Sequence, residues 1–367
     1  MRTGAPPASN GPPRDNRTIT VDKLAEYPDR VDVRSPSEFA EDRIPGAENR
    51  PVLDDAERAR IGTLYAKESG FAAKRAGAAL VARNIAGMLE GAFAGKPRGW
   101  APVIYCWRGG QRSRSLAHLL NEVGWRAVQL EGGYRAWRRH VITQLEILPS
   151  RLRFAVICGL TGSGKSRLLD ALSAVGAQVL DLEALAKHRG SLLGDLPGEG
   201  QPTQKTFDSE LAVALERFDP ARVVYVESES KKIGTVQVPD ALLTAMRAAP
   251  CIRVELPLGL RVALLKDEYA HYLADPATLS ARLAHLVPLH GRKTIERWNA
   301  AAVAGDWDTV VGELLAQHYD PTYARAIERN FPRYGDAIAI APSAIDGDAF
   351  RALAQSLDAA VRARAAA

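Results

Sequence analysis

The stretch RFAVICGLTGSGKSRLL, Arg153–Leu169, decides how the chain is read. It is a short apolar run, then G-x-x-x-x-G-K-S from Gly159 to Ser166, then leucines at helical spacing. In such a loop the glycines let successive backbone N–H groups turn inward, and the helix that follows offers unpaired amides and the positive end of its dipole to a polyphosphate. Lys165 adds a point charge for the terminal phosphate, and the Ser166 hydroxyl suits a Mg²⁺ ion. The context the motif requires is present, since FAVIC reads as a buried parallel strand and Leu168, Leu169, Leu172 and Val175 share one helix face. Gly159, Thr161, Gly162, Ser163, Gly164, Lys165 and Ser166 are therefore the candidate diphosphate-binding residues. A chance glycine-rich turn would not bring the strand and the helix with it.

Working outward, 367 residues suit two or three domains. With 46% hydrophobic and 25% charged residues the composition is that of an ordinary globular protein. No apolar run approaches a membrane span and the N-terminus lacks a signal-peptide core, so the expectation is a cytoplasmic enzyme with no membrane partner. Forty-eight Lys+Arg against 43 Asp+Glu give +5, which permits an anionic partner such as RNA without requiring one. Three cysteines, Cys106, Cys158 and Cys251, are too few and too scattered for a disulfide framework or a Cys₄ metal site. Cys158 and Cys251 sit in apolar runs and read as inert core.

Upstream, residues 1–16 are rich in Pro, Gly and Asn without periodicity and read as a disordered tail. Asp32–Val52 is broken by Pro36, Pro45, Gly46 and Pro51 into strand, turn, short helix and loop, and a long helical stretch runs from about Asp55 to Gly95. Pro102–Tyr105 is then a strand, breaking at CWRGGQRS, Cys106–Ser113, before a helix marked by Leu116, Leu119, Leu120 and Val123. A thiol held there faces convergent N–H groups and a helix N-terminus, with Arg108 and Arg112 near in sequence. Each of these favours thiolate, making Cys106 a candidate nucleophile, with Arg108 and Arg112 as its catalytic companions.

Downstream, Val179–Leu182 reads as a strand with Asp181 and Glu183 near its end, as ligands to water or Mg²⁺ or as a helix cap, the cap falling more naturally to Glu183. Lys187, His188 and Arg189 form a short basic group that could meet phosphate or RNA. Val223–Val226 is a further buried strand, and alternation puts Glu227 and Glu229 on one side at its end, where a P-loop enzyme keeps its second Mg²⁺ carboxylate. Asp181 and Glu227 are the candidate Mg²⁺ or acid/base residues. Lys231 and Lys232 follow, placed to neutralise a leaving diphosphate. From Pro257 the pattern is helical, with Leu260, Leu264, Leu265 and Tyr269 on one face and scattered Arg and Lys around Trp298, a composition that could hold an anticodon stem by phosphate contacts and stacking.

Thr18–His140 resembles the rhodanese family, through DVRSPSEF with RIPGAENRP, the cysteine loop YCWRGGQRS, and LEGGYRAW at Leu130–Trp137. That resemblance implies a loop cysteine, here Cys106, carrying sulfur or selenium. Asp32 and Arg34 match the family's DVR positions, whereas Arg43 stands where many members have His and Trp107 where many have Arg, so neither inherits a catalytic role. The insertion at 55–95 exceeds a minimal member. A rhodanese segment followed directly by a P-loop segment is similar to the tRNA 2-selenouridine synthase family, as are LDLEALAKHRGSLLG at Leu180–Gly194, QPTQKTFDSEL at Gln201–Leu211, VESESKKIG at Val226–Gly234 and HYDPTY at His318–Tyr323.

The fold this implies is α/β: a rhodanese-like parallel-sheet domain over 17–145, a P-loop NTPase-like α/β domain over 146–256, and a helical C-terminal region over 257–367 that completes it and contacts tRNA. The chemistry it implies replaces the sulfur of a wobble 2-thiouridine in a tRNA anticodon stem-loop by selenium from selenophosphate, through an S-geranyl intermediate made from geranyl diphosphate. No tightly bound cofactor is implied beyond Mg²⁺. Two rivals stand beside it: an ATP-dependent sulfurtransferase or kinase with a persulfide on Cys106, and a non-catalytic RNA-binding or phosphate-sensing module, which the retention of both Cys106 and Lys165 disfavours.

Overall fold

A computed structural model describes residues 17–198 and 200–366; the tail expected over 1–16 lies outside them. The chain divides into two compact units, with the division between Val141 and Ile142.

The first unit is built on five parallel strands, β1 (Thr18–Ile19), β2 (Arg30–Asp32), β3 (Ala47–Asn49), β4 (Val103–Tyr105) and β5 (Val128–Leu130), in the order β1-β5-β4-β2-β3. All three residues of β4 are buried, as a central parallel strand covered on both faces requires. Val31, Val33, Ile104, Leu116, Leu120, Phe93 and Trp100 share its core. Gly124, at φ +107°, ends the helix Gln111–Val123 in the left-handed conformation that glycine adopts without strain.

The expected single helical stretch at 55–95 is two helices, Asp55–Lys67 and Gly70–Glu90. Ser69 accepts from the Ala72 N–H and starts the second one, so the break is made by a cap rather than a proline. Gly77 lies against Ile61 and Gly70 against Tyr65, so the pair folds back as an antiparallel hairpin.

The second unit has its own parallel sheet of β6 (Arg153–Cys158), β7 (Gln178–Leu180), β8 (Val223–Glu227), β11 (Cys251–Val254) and β12 (Ile338–Ile340), in the order β12-β11-β6-β8-β7. Between β8 and β11 lies a two-stranded antiparallel hairpin, β9 (Lys232–Ile233) and β10 (Val236–Gln237). After β8 the chain crosses to the other side of β6, and ligands of open α/β sheets bind at the carboxyl ends of strands beside such a reversal. Ile157, Leu168, Leu169, Leu172, Tyr225, Ile252 and Phe350 form the core under it. The C-terminal region is helical apart from β12, which pairs in parallel with β11 and extends the sheet. Its helices carry a second core around Leu283, Trp298, Val310 and Leu315. Leu264 and Leu265 face inward as the spacing predicts, whereas Leu260 is exposed.

Candidate functional site

Each sheet carries its chemistry on the loop after a central strand. In the first unit Cys106 follows β4 directly and is buried. Its Sγ accepts from the Gly110 N–H and from the Ser113 hydroxyl, both at 3.2 Å. Gln129, on the neighbouring β5, donates to Ser113 Oγ and to the Gly109 carbonyl, both at 2.7 Å, and so ties the loop to the sheet. The second glycine of LEGGYRAW explains itself here. Gly133 has φ +57°, and a Cβ on it would lie 2.2 Å from the Cys106 carbonyl oxygen and 2.4 Å from the Gly109 nitrogen. Without a side chain the next helix starts against the cysteine loop, and the Tyr134 N–H reaches the Cys106 carbonyl at 2.9 Å.

The arginines expected beside the thiol are placed otherwise. Arg112 pairs with Glu38 at 2.8 Å; burial raises that carboxyl, but the hydrogen bond and charge of Arg112 prevail and hold it below its ordinary value. Arg108 is exposed. The dipoles on Cys106 are thus neutral, and Ser113 and Gln129 are the residues the sequence reading passed over. Asp32 and Arg34 form a fully buried ion pair at 2.6 Å, with Arg34 also donating to the Asp42 carbonyl and lying 4.0 Å from the Tyr134 ring centre. Paired and buried in this way, they brace the sheet end.

In the second unit the loop after β6 has Gly162 at φ +75° and Gly164 at φ +84°. A Cβ on Gly164 would meet Phe350 at 2.4 Å, so glycine is required by space as well as by backbone angle. Lys165 Nζ rests on the Gly159 carbonyl at 3.2 Å. Thr161 Oγ1 and Ser163 Oγ are buried without a hydrogen-bond partner, which leaves the loop with polar atoms to offer a ligand. The HYDPTY stretch supports this loop from below. Asp320 holds Arg261 by two bonds of 2.6 and 3.0 Å, and Arg261 Nε donates to the Thr161 carbonyl at 2.8 Å.

Facing the loop are three carboxylates. One oxygen each of Glu183, Glu227 and Glu229 lie within 4.8 Å of one another. Ser166 Oγ reaches Glu183 at 3.4 Å. Glu227 and Glu229 end on one side of β8, as strand alternation predicts. The roles of the other two acids are exchanged: Asp181 is the cap, accepting the Ala184 N–H at 2.7 Å, and Glu183 joins the cluster. Asp181 still lines the same cavity, which encloses about 1250 Å³ counting its open mouth. Burial, then the Glu229 charge, pushes the Glu183 carboxyl up to about 8. Burial, then the charge of Glu183, raises Glu227 well above its ordinary value. Burial also raises Glu229, against the charge of Lys165.

Of the basic group, His188 and Arg189 both line this cavity, and Arg189 donates to the Glu268 carbonyl at 2.9 Å and lies over the Tyr269 ring. His188 is buried and 3.4 Å from Asp195. Lys231 pairs with Asp240 at 2.7 Å, Lys232 lies exposed on β9, and neither lines this cavity. Trp298 is fully buried, its indole N–H donating to Glu313 at 2.8 Å, which rules it out as a stacking surface for a base.

The cluster fits a divalent cation of the Mg²⁺ kind. It supplies hard oxygen donors only, it stands beside the Ser166 hydroxyl, and Glu227 Oε2 is buried without a hydrogen-bond partner. Three adjoining carboxylates repel one another unless protons or a cation intervene.

Two such loops, a buried thiol on one parallel sheet and a phosphate loop on another, define a rhodanese-type unit joined to a P-loop α/β unit. Residues 20–140 match the rhodanese-like domain family, and residues 152–283 match the family described as tRNA 2-selenouridine synthase AAA domain. Proteins named tRNA 2-selenouridine synthase are similar over longer spans. That of Nitrosomonas europaea is 32% identical over 344 residues, covering 93% of this chain and 82% of its own length. That of Alcanivorax borkumensis is 33% identical, covering 82% and 89%. The match to that of Aeromonas salmonicida, 35% identical, covers 66% of this chain and 65%, just under two thirds, of the relative. The chain belongs to the tRNA 2-selenouridine synthase family. No helix among the described residues is long and apolar enough to cross a membrane.

Proposed function

We propose that this protein is a tRNA-modifying selenotransferase that converts a wobble 2-thiouridine to 2-selenouridine in two steps, prenylation at the P-loop and selenium delivery in which Cys106 takes part. The observation that carries the reading is the presence in one chain of two intact anion-holding loops with different reactive groups, one ending in a thiol and the other in a lysine facing carboxylates. The relatives' name supplies the substrate class.

A thiocarbonyl sulfur is a poor leaving group, whereas an S-alkylated one departs readily as a thiol. In the first step the sulfur attacks C1 of geranyl diphosphate, a C–S bond forms, and the C–O bond to diphosphate breaks. Charge develops on the departing diphosphate, and the loop N–H groups, Lys165 and the Ser166 hydroxyl are arranged to stabilise it. Glu183, Glu227 and Glu229 would hold Mg²⁺, which when bound neutralises phosphate charge. In the second step the selenium of selenophosphate attacks C2 of the base, a C–Se bond forms as the C–S bond breaks and geranyl thiol leaves, and water then cleaves the P–Se bond to release phosphate. Cys106 would take part in that delivery, its Sγ oriented by the Gly110 N–H and the Ser113 hydroxyl. Both steps belong to a cytoplasmic enzyme acting on an anticodon stem-loop, without a membrane.

Nucleoside mass spectrometry of 2-thiouridine-containing tRNA, with geranyl diphosphate and selenophosphate each omitted in turn, tests this. The expected result is a geranyl adduct that becomes 2-selenouridine only on addition of selenophosphate. Unchanged tRNA with ATP consumed would replace the proposal with the ATP-dependent sulfurtransferase reading.

A further inference from the structure

Beside the phosphate loop lies a second cavity whose chemistry is opposite. Its interior is small, about 60 Å³, widening to about 550 Å³ counting its open mouth, and its walls include Leu273, Leu279, Val310, Val311, Leu314 and Leu315. Thr161, Ser191, Leu265 and Tyr269 line both it and the charged cavity, so the two adjoin across those four residues. Leu265 forms the partition: it stands close enough that a Cβ on Gly162 would lie 2.8 Å from its side chain. One wall, Leu315–Tyr319, winds with i→i+5 hydrogen bonds inside an otherwise α-helical run. Such turns cost helix stability and gather at functional sites.

Few polar groups reach the rim, which carries the Thr161, Ser191 and tyrosine hydroxyls. That of Tyr272 points to the Leu193 carbonyl at 3.5 Å. A nucleotide base placed here would meet apolar walls over most of its edge, with the Thr161 hydroxyl as an unpartnered polar group at the rim, and unpaired polar edges are strongly disfavoured in such a pocket. A hydrocarbon has no such edge.

We infer that this apolar cavity is the tail site of the P-loop ligand, so that the second unit binds an amphiphile with a diphosphate head at Lys165 and Ser166 and a short branched hydrocarbon tail against Val311 and Leu314. This rests on the prenyl-donor reading and gives it a place. Trp307 and Val311 are half-buried at the rim, whereas Val310, Leu314 and Leu315 are buried walls, so the wall residues set the tail length accepted.

Calorimetric titration of the full chain with geranyl diphosphate, farnesyl diphosphate, inorganic diphosphate and ATP tests it. Wild type should bind geranyl diphosphate at least tenfold more tightly than inorganic diphosphate. Val311→Trp, which fills the cavity, should remove that advantage while inorganic diphosphate affinity changes less than twofold, a retained signal that also shows the domain is folded. Leu314→Ala should shift the preference toward farnesyl diphosphate at least threefold. If Val311→Trp and Leu314→Ala both leave the geranyl advantage and chain-length preference untouched, the tail lies elsewhere and the cavity assignment is overturned while the donor reading stands. If wild type binds geranyl diphosphate no better than inorganic diphosphate and prefers ATP, the donor reading and the tail site are overturned together.

Discussion

The cysteine loop and the P-loop share a frame and differ in their electrostatics. Both follow a central parallel strand, both turn on glycines with positive φ, and both lead into a helix. Around Cys106 the groups in contact are a backbone N–H and a hydroxyl, held by an amide. Around Lys165 ionisable groups of both signs face a cavity, with Glu183, Glu227 and Glu229 opposite Lys165 and Arg189 nearby. The same βα turn is thus lined by neutral dipoles at the thiol and by ionisable side chains at the phosphate loop.

If the proposed division of labour is right, the two loops fail at different steps. Lys165→Ala should abolish prenylation, a fall of about 10²–10³-fold or more for removal of a preorganised donor to a developing anion. Cys106→Ser should allow the S-geranyl nucleoside to accumulate and stop selenation. Quantifying both nucleosides by mass spectrometry checks this, and loss of the same step in both variants would erase the distinction between the loops.

How much of this was legible depends on whether a signal was contiguous. Gly159–Ser166 could be read because the motif is eight consecutive residues whose backbone does the binding, and Glu227 because strand alternation fixes its side. Asp181 and Glu183 could be named but not assigned, since which acid caps depends on where the following helix begins to within a residue. Ser113 and Gln129 carried no signal because their meeting at Cys106 joins a helix to a strand sixteen positions away. Trp298 and the Lys231–Lys232 pair were misread for a shared reason: composition counts aromatic and basic residues, and it does not say that the indole is enclosed by its helices or that the lysines do not line the cavity.

The cysteine loop depends on close backbone approach, and this gives the next largest effect. Gly124→Ala meets nothing within 4 Å and pays only for the left-handed backbone, about 1–2 kcal/mol. Gly133→Ala adds overlap with the Cys106 carbonyl and the Gly109 nitrogen, and should cost about 2–4 kcal/mol and displace the thiol. Urea unfolding of the two variants separates strain from clash, and equal losses would show that the approach of the helix to the loop is not needed.

At the P-loop the raised carboxyls make stability and ion binding depend on pH. Glu183 is protonated in the fold up to about 8 but has an ordinary value of 4.5 when unfolded. Its contribution is present below 4.5 and is lost as the pH rises through about 8, at no more than about 1.4 kcal/mol per pH unit for the one proton. A cation replaces that proton, so Mg²⁺ affinity should rise toward pH 8, with proton release, and Glu183→Gln should flatten the profile. Titration calorimetry in buffers of different ionisation enthalpy measures both, and a pH-independent affinity would place the cation away from Glu183.

The smallest effect expected is also the one that most sharpens the contrast between the loops. Arg112 is next to the cysteine loop in sequence, yet its guanidinium is on Glu38, a partly exposed pair whose glutamate also accepts the Ser35 N–H. Arg112→Ala should therefore act through that brace, lowering stability by about 1 kcal/mol or less. Glu38 is held below its ordinary value, so the loss should be present above about pH 4.5 and fade as the pH falls through the depressed value. Selenation should change less than threefold, whereas Ser113→Ala, which removes a hydrogen bond to Sγ and the acceptor of Gln129, should slow it about tenfold. The opposite ranking, with Arg112→Ala slowing selenation tenfold at an unchanged melting temperature, would mean that a formal charge reaches the bound selenium after all, and the two loops would then work by one electrostatic principle rather than two.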